Sequence, residues 1–216
     1  MSPPRTVLVL AKEPVAGRVK TRLCPPFTLH EAALLAAAAL DDTLSAVQHT
    51  RCDRRVLVLD GEPPARLDPS FEVRPQAQGA LDRRLSAAFA NVDGPTVLVG
   101  MDTPQVTPEL IDDALAHLDA CNDAVIGRSV DGGFWIVGLT RPTRRAFLGV
   151  PMSTPTTGAV QHARLVELGL HTATLPLLRD VDEYDDAVAV ARGAPATRFA
   201  AAFRQLDSKF TRVLVS

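Results

Sequence analysis

The chain has 216 residues, of which 46% are hydrophobic and 22% are charged, a composition typical of a soluble globular protein and not of a disordered or fibrous chain. Its 23 basic and 25 acidic residues give a net charge of -2, which removes any global electrostatic reason to expect a nucleic acid or an anionic membrane as partner. The three cysteines form no CxxC pair, and the apolar run near the amino terminus is too short for a signal peptide or a membrane span, so we expect a reduced, cytoplasmic protein.

Strand and helix signals alternate along the whole chain. Short aliphatic and β-branched runs predict buried strands at residues 6–10, 55–59, 72–74, 96–100, 124–127, 134–139 and 172–175. Helical spacing of apolar residues, together with capping residues, predicts helices at 29–48, 81–89, from 107 onward, and at 159–168, 184–191 and 197–206. The final run, residues 210–215, is strand-like. Because no linker or repeat divides the chain, the alternation predicts one domain over residues 1–216, with a mainly parallel sheet in a three-layer α/β/α fold.

The loop after the first predicted strand is the most informative segment. It carries four cations, Lys12, Arg18, Lys20 and Arg22. The next helix signal is a capping box at Thr28 and Glu31, so this connection is about seventeen residues long, against roughly 2 to 6 in most α/β units. Because parallel sheets bind ligands beyond the carboxyl ends of their strands, a cationic loop there predicts a phosphate-bearing ligand. The alternative is a solvated charged loop.

Glycine-rich phosphate loops are absent from this segment. A Walker A loop would need glycines where the chain has Pro14 and Val19, and the GxGxxG fingerprint is missing because Gly17 stands alone. Side-chain cations, and not a glycine-rich backbone, are therefore expected to hold the anion.

Two acidic segments follow predicted strands. Asp102 lies in a Gly-x-Asp-x-Pro turn after the fourth strand, and Mg²⁺ in nucleotide sites takes one or two carboxylates while substrate phosphates complete its shell. A turn or cap role is the alternative, which is weakened because Thr107 is the better cap for the next helix. Asp180 and Asp182 follow the last predicted strand. We predict Asp182 as the second metal ligand if it lies beside Asp102, although Asp182 and Asp185 could instead cap the next helix.

Gln76 and Gly79 lie between the third predicted strand and the following helix, which contains Arg83 and Arg84. Amide and backbone groups here could read a nucleobase or ribose by hydrogen bonding. A polar loop and two solvated arginines account for the same residues.

Two further segments could bind the acceptor of a transfer reaction. Asp131, Gly132 and Gly133 would let an acceptor approach the backbone, although a tight hairpin turn is the simpler interpretation. Ser153 and Thr154 offer hydroxyl groups before a predicted helix, where capping is the simpler interpretation. The five histidines show no HxxxH spacing, and none is predicted to be catalytic.

Four sequence blocks occur in a recognisable order. They are Ala11-Lys12-x-Pro14-x-x-Gly17-x-Val19-Lys20-Thr21-Arg22-Leu23, Gly100-x-Asp102-Thr103-Pro104, Asp131-Gly132-Gly133-Phe134-Trp135 and Asp180-Val181-Asp182. In these blocks the chain resembles the DUF2064 family, also called the selenodomain-associated transferase 1 group, of the nucleotide-diphospho-sugar transferase (GT-A) superfamily. The resemblance implies a GT-A fold that binds a nucleotide over its amino-terminal half, with Ala11 and Gly17 in the binding loop. It also implies a divalent ion, Mg²⁺ or Mn²⁺, at the Gly-x-Asp turn.

The Lys-Thr-Arg-Leu portion is also similar to the 2-phospho-L-lactate guanylyltransferases, which points toward nucleotidyl transfer. In that reaction a small phosphorylated or hydroxyl acceptor attacks a nucleoside triphosphate, and metal and cations stabilise the leaving pyrophosphate. Lys20, Arg22 and Asp102 would be the catalytic residues. Glycosyl transfer from an NDP-sugar needs fewer cations, so the number of cations favours nucleotidyl transfer. A non-catalytic nucleotide-binding protein is a third possibility, favoured if Asp102 and Asp182 lie far apart.

Overall fold

The computed structural model describes residues 3–213, with side chains described as far as residue 208. Its strands are β1 (Thr6–Lys12), β2 (Arg54–Asp60), β3 (Phe71–Pro75), β4 (Thr96–Gly100), β5 (Ala124–Ser129), β6 (Phe134–Leu139) and β7 (Thr172–Leu178). They form one sheet in the order β3-β2-β1-β4-β6-β5-β7, in which β6 alone runs antiparallel to its neighbours. The predicted, mainly parallel sheet is confirmed.

Helices cover both faces of this sheet. They are α1 (Leu29–His49), α2 (Leu81–Phe89), α3 (Pro108–Asp119), α4 (Thr157–Glu167), α5 (Tyr184–Gly193) and α6 (Arg198–Val213), with short 3-10 turns at Thr21–Leu23 and Arg144–Ala146. Side chains alternate across a strand, so Val7 and Val9 pack in one core with α1 and α3, whereas Leu8 packs in the other with α2 and α4. None of the helices in the described residues combines the length and hydropathy that crossing a bilayer requires.

One prediction and one alternative interpretation in the carboxyl-terminal part of the chain were wrong. The strand-like run at 210–215 is helical as far as Val213, inside α6, and residues 214–215 lie outside the described part of the chain. Apolar residues recur at helical spacing from Phe199 through Phe203 and Leu206 to Phe210, so the helical period outweighs the short β-branched run. The cap of α5 is a reciprocal pair of Glu183 and Asp186, not Asp182 and Asp185.

The long connection between β1 and α1 is anchored by apolar side chains. Leu23 and Phe27 are buried in a third core formed with α1, α5 and α6. The Phe27 ring lies 5.8 Å from that of Phe203, and the predicted capping box of Thr28 and Glu31 begins α1. The loop is therefore held in place at its carboxyl end by core packing.

Candidate functional site

A cleft of about 810 Å³ opens at the edge of the sheet where β1 and β4 end, a size within the ~300–1,000 Å³ usual for small-molecule sites. Its walls come from the cationic loop, the turn after β4, the β5–β6 hairpin and the loop after β7. Twelve of the predicted site residues line it: Ala11, Lys12, Arg18, Lys20, Arg22, Gln76, Asp102, Asp131, Gly133, Ser153, Thr154 and Asp182. The other three predicted residues, Gly17, Gly79 and Gly132, do not line the cleft.

Two buried residues of the cationic loop, Val19 and Leu23, anchor the segment that carries Lys20 and Arg22. Val19 and Leu23 are buried in separate cores, and Lys20 between them adopts a left-handed backbone with φ of +50°. A non-glycine residue rarely takes this conformation unless its surroundings enforce it. The result is that Lys20 points inward, whereas Arg18 and Arg22 keep exposed side chains.

The Lys20 ammonium lies between the two predicted metal ligands. Its Nζ contacts Asp102 Oδ1 and the carbonyl oxygen of Val181, and it lies 3.5 Å from Asp182 Oδ1. Burial by itself would lower the pKa of Lys20, but the charge and hydrogen bond of Asp102, with the charge of Asp182, raise that pKa above its ordinary value. Lys20 is therefore a charged ammonium that brings the two carboxylates together.

The loops that carry these carboxylates reach each other across the sheet. β4 and β7 are separated by β6 and β5, so their ends would lie about 14 Å apart at ordinary strand spacing. Three hydrogen bonds join the loops: Val181 N to the Asp102 carbonyl (2.9 Å), Thr103 Oγ1 to Asp180 Oδ1 (2.8 Å) and Gln105 Nε2 to the Arg179 carbonyl (2.6 Å). The loop after β7 therefore folds back over the sheet edge to meet the turn after β4.

Asp180 is a largely buried carboxyl group in the wall of this cleft. Burial raises its pKa to about 6, although the hydrogen bond from Thr103 favours the ionised form, and the carboxylates of Asp102 and Asp131 raise it further. Asp180 therefore lies near the carboxylates of Asp102 and Asp131. Its own carboxylate is not within 4.0 Å of the Lys20 ammonium.

The oxygen atoms around Lys20 Nζ are of the kind that hard divalent ions prefer. Carboxylates of Asp102 and Asp182 and the Val181 carbonyl converge on one positive charge, and Mg²⁺ and Mn²⁺ favour such oxygen donors. In the described residues, no group of three or more His, Cys, Asp or Glu side chains is arranged to hold a metal by itself. The donor set therefore fits an ion that takes two carboxylates and completes its shell with substrate oxygens, and this ion would share the donors with Lys20.

The remaining cations of the loop differ in their partners. Arg18 lies 3.5 Å from the Asp60 carboxylate, and Arg22, with 71% of its side chain exposed, lies 3.8 Å from that of Asp182. Lys12 is exposed, and within the described residues no carboxylate lies within 4.0 Å of its ammonium. Lys12 is therefore available to a ligand in the cleft.

Gln76 lines the cleft, but its amide is occupied by protein partners. Nε2 donates to the carbonyl oxygens of Ala11 (2.5 Å) and Val58 (3.3 Å), and Oε1 accepts from Arg84 Nη1 (3.0 Å). Direct reading of a nucleobase by Gln76, as the sequence suggested, would require these bonds to break. Gly79 instead supplies the positive φ of +111° that the turn before α2 needs.

Arg84 is a cleft residue that the sequence interpretation missed. It lines the cleft and its Nε is buried without a hydrogen-bond partner, so the interpretation as a solvated arginine is wrong. The available signal was its position three residues after Leu81 and one before Leu85, on the apolar face of α2. Arg83, on the opposite face, is exposed.

The β5–β6 hairpin packs against the loop that precedes α4. Asp131 Oδ1 accepts from Gly133 N at 2.9 Å, which closes a tight turn. Gly132 has φ of +92°, and a Cβ there would lie 1.8 Å from the Pro155 carbonyl oxygen. Close backbone approach therefore explains Gly132, while Asp131 and Gly133 line the cleft.

Ser153 and Thr154 lie at the edge of the cleft before α4. Ser153 has a left-handed φ of +58°, and Thr154 N donates to Thr157 Oγ1 at 3.0 Å. The N-cap residue Thr156 makes no side-chain capping bond. The Thr154 hydroxyl lies 3.2 Å from those of Thr156 and Thr157, so it belongs to a local turn before α4.

The sequence matches the model of one protein family, described as "Uncharacterized protein conserved in bacteria (DUF2064)", over residues 39–154. The match covers more than half of the chain. The chain belongs to the DUF2064 family. Among curated proteins, no match to this DUF2064 protein was found.

Solved structures share the fold of this DUF2064 protein. A Desulfovibrio desulfuricans G20 protein, provisionally named a nucleotide-diphospho-sugar transferase, is 24% identical, with 96% of each chain covered and a TM-score of 0.84. Rv0371c from Mycobacterium tuberculosis H37Rv, in complex with manganese, is 23% identical, with 88% and 98% covered and a TM-score of 0.51. The 2-C-methyl-D-erythritol 4-phosphate cytidylyltransferase of Thermus thermophilus is 14% identical, with 91% and 100% covered and a TM-score of 0.56. The predicted GT-A-like fold is confirmed.

Proposed function

We propose that this DUF2064 protein is a metal-dependent, nucleotide-using transferase that transfers a nucleotidyl group from a nucleoside triphosphate to a small phosphorylated or hydroxyl acceptor and releases pyrophosphate. One observation carries the proposal. Asp102 and Asp182, from loops that are distant in sequence, meet at the Lys20 ammonium inside the cleft. The wide separation of the two carboxylates that would favour a non-catalytic protein is not observed.

Each charged group has a role in this reaction. Asp102 and Asp182 would hold Mg²⁺ or Mn²⁺, which supplies positive charge to the reacting phosphates and the leaving pyrophosphate. Lys20 keeps the carboxylates in place and adds a charge beside them. Lys12 and Arg22 line the cleft with exposed side chains, and they would bind and orient the phosphate chain.

The structural relatives support the assignment of this protein as a nucleotide-using transferase. One binds manganese and one is a cytidylyltransferase, as their names state. A shared fold alone does not specify a reaction, so the choice of nucleotidyl transfer depends on the charges of this cleft.

Glycosyl transfer from an NDP-sugar is the second candidate. The Asp131 carboxylate lines the same cleft on the β5–β6 hairpin, where it could accept a proton from an acceptor hydroxyl. The name given to the Desulfovibrio desulfuricans protein is in line with this reaction.

Product analysis separates the two reactions. The protein would be incubated with each common nucleoside triphosphate or NDP-sugar, Mg²⁺ or Mn²⁺, and a protein-free metabolite extract as the source of acceptors. We expect pyrophosphate from a triphosphate, and Asp102→Asn should lose both this release and metal-dependent nucleotide affinity while it keeps its fold, because an amide is a poorer metal ligand than a carboxylate. Release of nucleoside diphosphate from an NDP-sugar, without pyrophosphate from any triphosphate, would establish glycosyl transfer instead.

A further inference from the structure

The cations that line the cleft fall into two groups. Arg18, Lys20 and Arg22 each lie within 4.0 Å of a carboxylate. Lys12 and Arg84 have no such partner among the described residues, although both line the cleft. Positive charge that the protein itself does not neutralise is therefore concentrated at these two side chains.

Arg84 is held in a fixed orientation. Its Nη1 donates to Gln76 Oε1 at 3.0 Å, and the Gln76 amide is in turn tied to the carbonyl oxygens of Ala11 and Val58. The two bonds from Nε2 fix which end of the amide faces Arg84. The Gln76 side chain thus links Arg84 to the carbonyl group of Ala11, which directly precedes Lys12 at the end of β1.

The surroundings of Arg84 make its charge costly without a ligand. Leu81, Leu85 and Leu98 line the same cleft, and the Arg84 Nε is buried without a hydrogen-bond partner. A cation in a partly apolar wall is disfavoured unless an opposite charge pairs with it. A neutral nucleobase would leave this charge uncompensated, whereas a phosphate would neutralise it.

We propose that Arg84 binds a phosphate group of the ligand and that Gln76 is the positioning residue that orients its guanidinium. The inference rests on the proposed function for the presence of phosphate in the cleft, but it can be tested by binding alone. The phosphate belongs either to the nucleotide or to the acceptor. Both offer the oxygen atoms that a guanidinium pairs with in a planar, charge-assisted geometry.

Calorimetric titrations with two phosphate probes test this assignment. Inorganic tripolyphosphate represents the nucleotide's phosphate chain and glycerol 3-phosphate represents a small acceptor, each titrated in the presence of MgCl₂. The variants are Arg84→Gln and a matched control, Arg83→Gln, which makes the same charge change on the exposed face of α2. We expect Arg84→Gln to weaken at least one probe by about tenfold or more and Arg83→Gln to change neither by more than about twofold. The probe that responds identifies the source of the phosphate.

Several outcomes would overturn the proposal. These are wild-type protein that binds neither probe, equal effects of the two variants, or a loss of binding by Arg84→Gln that is as large for neutral nucleosides as for the phosphate probes. Thermal melting checks that Arg84→Gln is folded, and Arg84→Lys provides a second variant that keeps the charge but not the planar fork. It should bind the responding probe with intermediate affinity; affinity no better than that of Arg84→Gln would count against the proposal.

The test also separates this inference from the proposed reaction. Pyrophosphate release by wild-type protein, with unchanged phosphate affinity in Arg84→Gln, would refute the role of Arg84 and leave the reaction standing. A selective loss of phosphate affinity without any transfer activity would refute the reaction and leave the phosphate site standing.

A double-mutant cycle tests the positioning role of Gln76. Gln76→Met should weaken phosphate binding in the wild-type background and have little further effect in Arg84→Gln, because both changes remove the same contact. A residue that only supported the fold would add the same loss in both backgrounds. Equal losses would therefore contradict a positioning role.

Discussion

Lys20 couples the cationic loop to the acidic side of the cleft. Its side chain is 6% exposed, whereas those of Asp102 and Asp182 are 46% and 40% exposed. The ammonium has therefore lost most of its contact with water, whereas each carboxylate keeps a little under half of its own. The arrangement gives the two carboxylates a counter-charge when no divalent ion is present.

Replacing Lys20 by Met should alter both stability and metal response. In EDTA we expect the free energy of unfolding to fall by about 1–3 kcal/mol, because two neighbouring carboxylates lose their counter-charge and solvent screens part of the effect. Added Mn²⁺ should raise the melting temperature of Lys20→Met more than that of the wild type, since the ion no longer shares its ligands. Arg22→Met, which removes an exposed cation, is the control. The same metal response in all three proteins would show that Lys20 does not occupy the metal position.

Asp180 should make the stability of the metal-free protein depend on pH. Its pKa in the folded state, about 6, exceeds the ordinary 3.8, so the folded state binds this proton more tightly than the unfolded state. The stabilising contribution is therefore present below about pH 4 and is lost as the pH rises toward 6, by about 3 kcal/mol at most. Chemical denaturation in EDTA across this range, compared between wild type and Asp180→Asn, measures the difference. Parallel pH profiles for the two proteins would contradict the raised pKa.

At the scale of elements, the cationic loop is part of the core despite its length and charge. Leu23 is fully buried against α1, α5 and α6, next to the Arg22 side chain that faces solvent. The loop thus presents its cations from a fixed backbone and not from a mobile segment. The binding role that we propose for this loop would depend on the same packing that stabilises α5 and α6.

Leu23→Ala should consequently reduce both stability and nucleotide affinity. We expect a loss of about 2–5 kcal/mol, the usual cost of removing a buried leucine, with weaker binding of a magnesium–nucleotide because the Lys20 backbone shifts. Leu35→Ala is a matched control, since Leu35 is equally buried in the same core but lies in α1. We expect the two variants to lose similar amounts of stability, and only Leu23→Ala to lose nucleotide affinity. Equal affinities in the two variants would show that the loop holds its position without Leu23.

At the scale of the whole molecule, the site joins the two halves of the sheet. The cations come from the loop after β1, and the carboxylates come from the ends of β4 and β7. A ligand that contacts both groups should therefore stabilise the complete fold and not one segment of it.

Thermal melting measures this coupling. A magnesium–triphosphate at about one hundred times its dissociation constant should add about 2.7 kcal/mol to the free energy of unfolding, which raises the melting temperature by about 5–10 °C for a chain of this size. Magnesium with the corresponding nucleoside should raise it much less. Asp182→Asn should lose most of the triphosphate effect. An unchanged shift in that variant would remove Asp182 from the site.

Local sequence patterns determined most of the elements. The limits of α2 at Leu81–Phe89, of β4 at Thr96–Gly100 and of β6 at Phe134–Leu139 follow from the spacing of apolar residues, which depends only on neighbours along the chain. The capping box at Thr28 is local in the same sense. The exception at the end of α6 arose because a short β-branched run and a helical period overlap there.

The tertiary structure decided which of the chemically active side chains meet. Asp102 and Asp182 approach each other because the loop after β7 crosses back over two strands, and no periodicity in the sequence encodes that crossing. The same holds for Lys20, which faces carboxylates inside the cleft, and for Arg84, whose lack of a carboxylate partner among the described residues is visible only once its neighbours are placed. Sequence periodicity specifies which face of an element is buried, whereas the charges that meet depend on contacts between residues far apart in the chain.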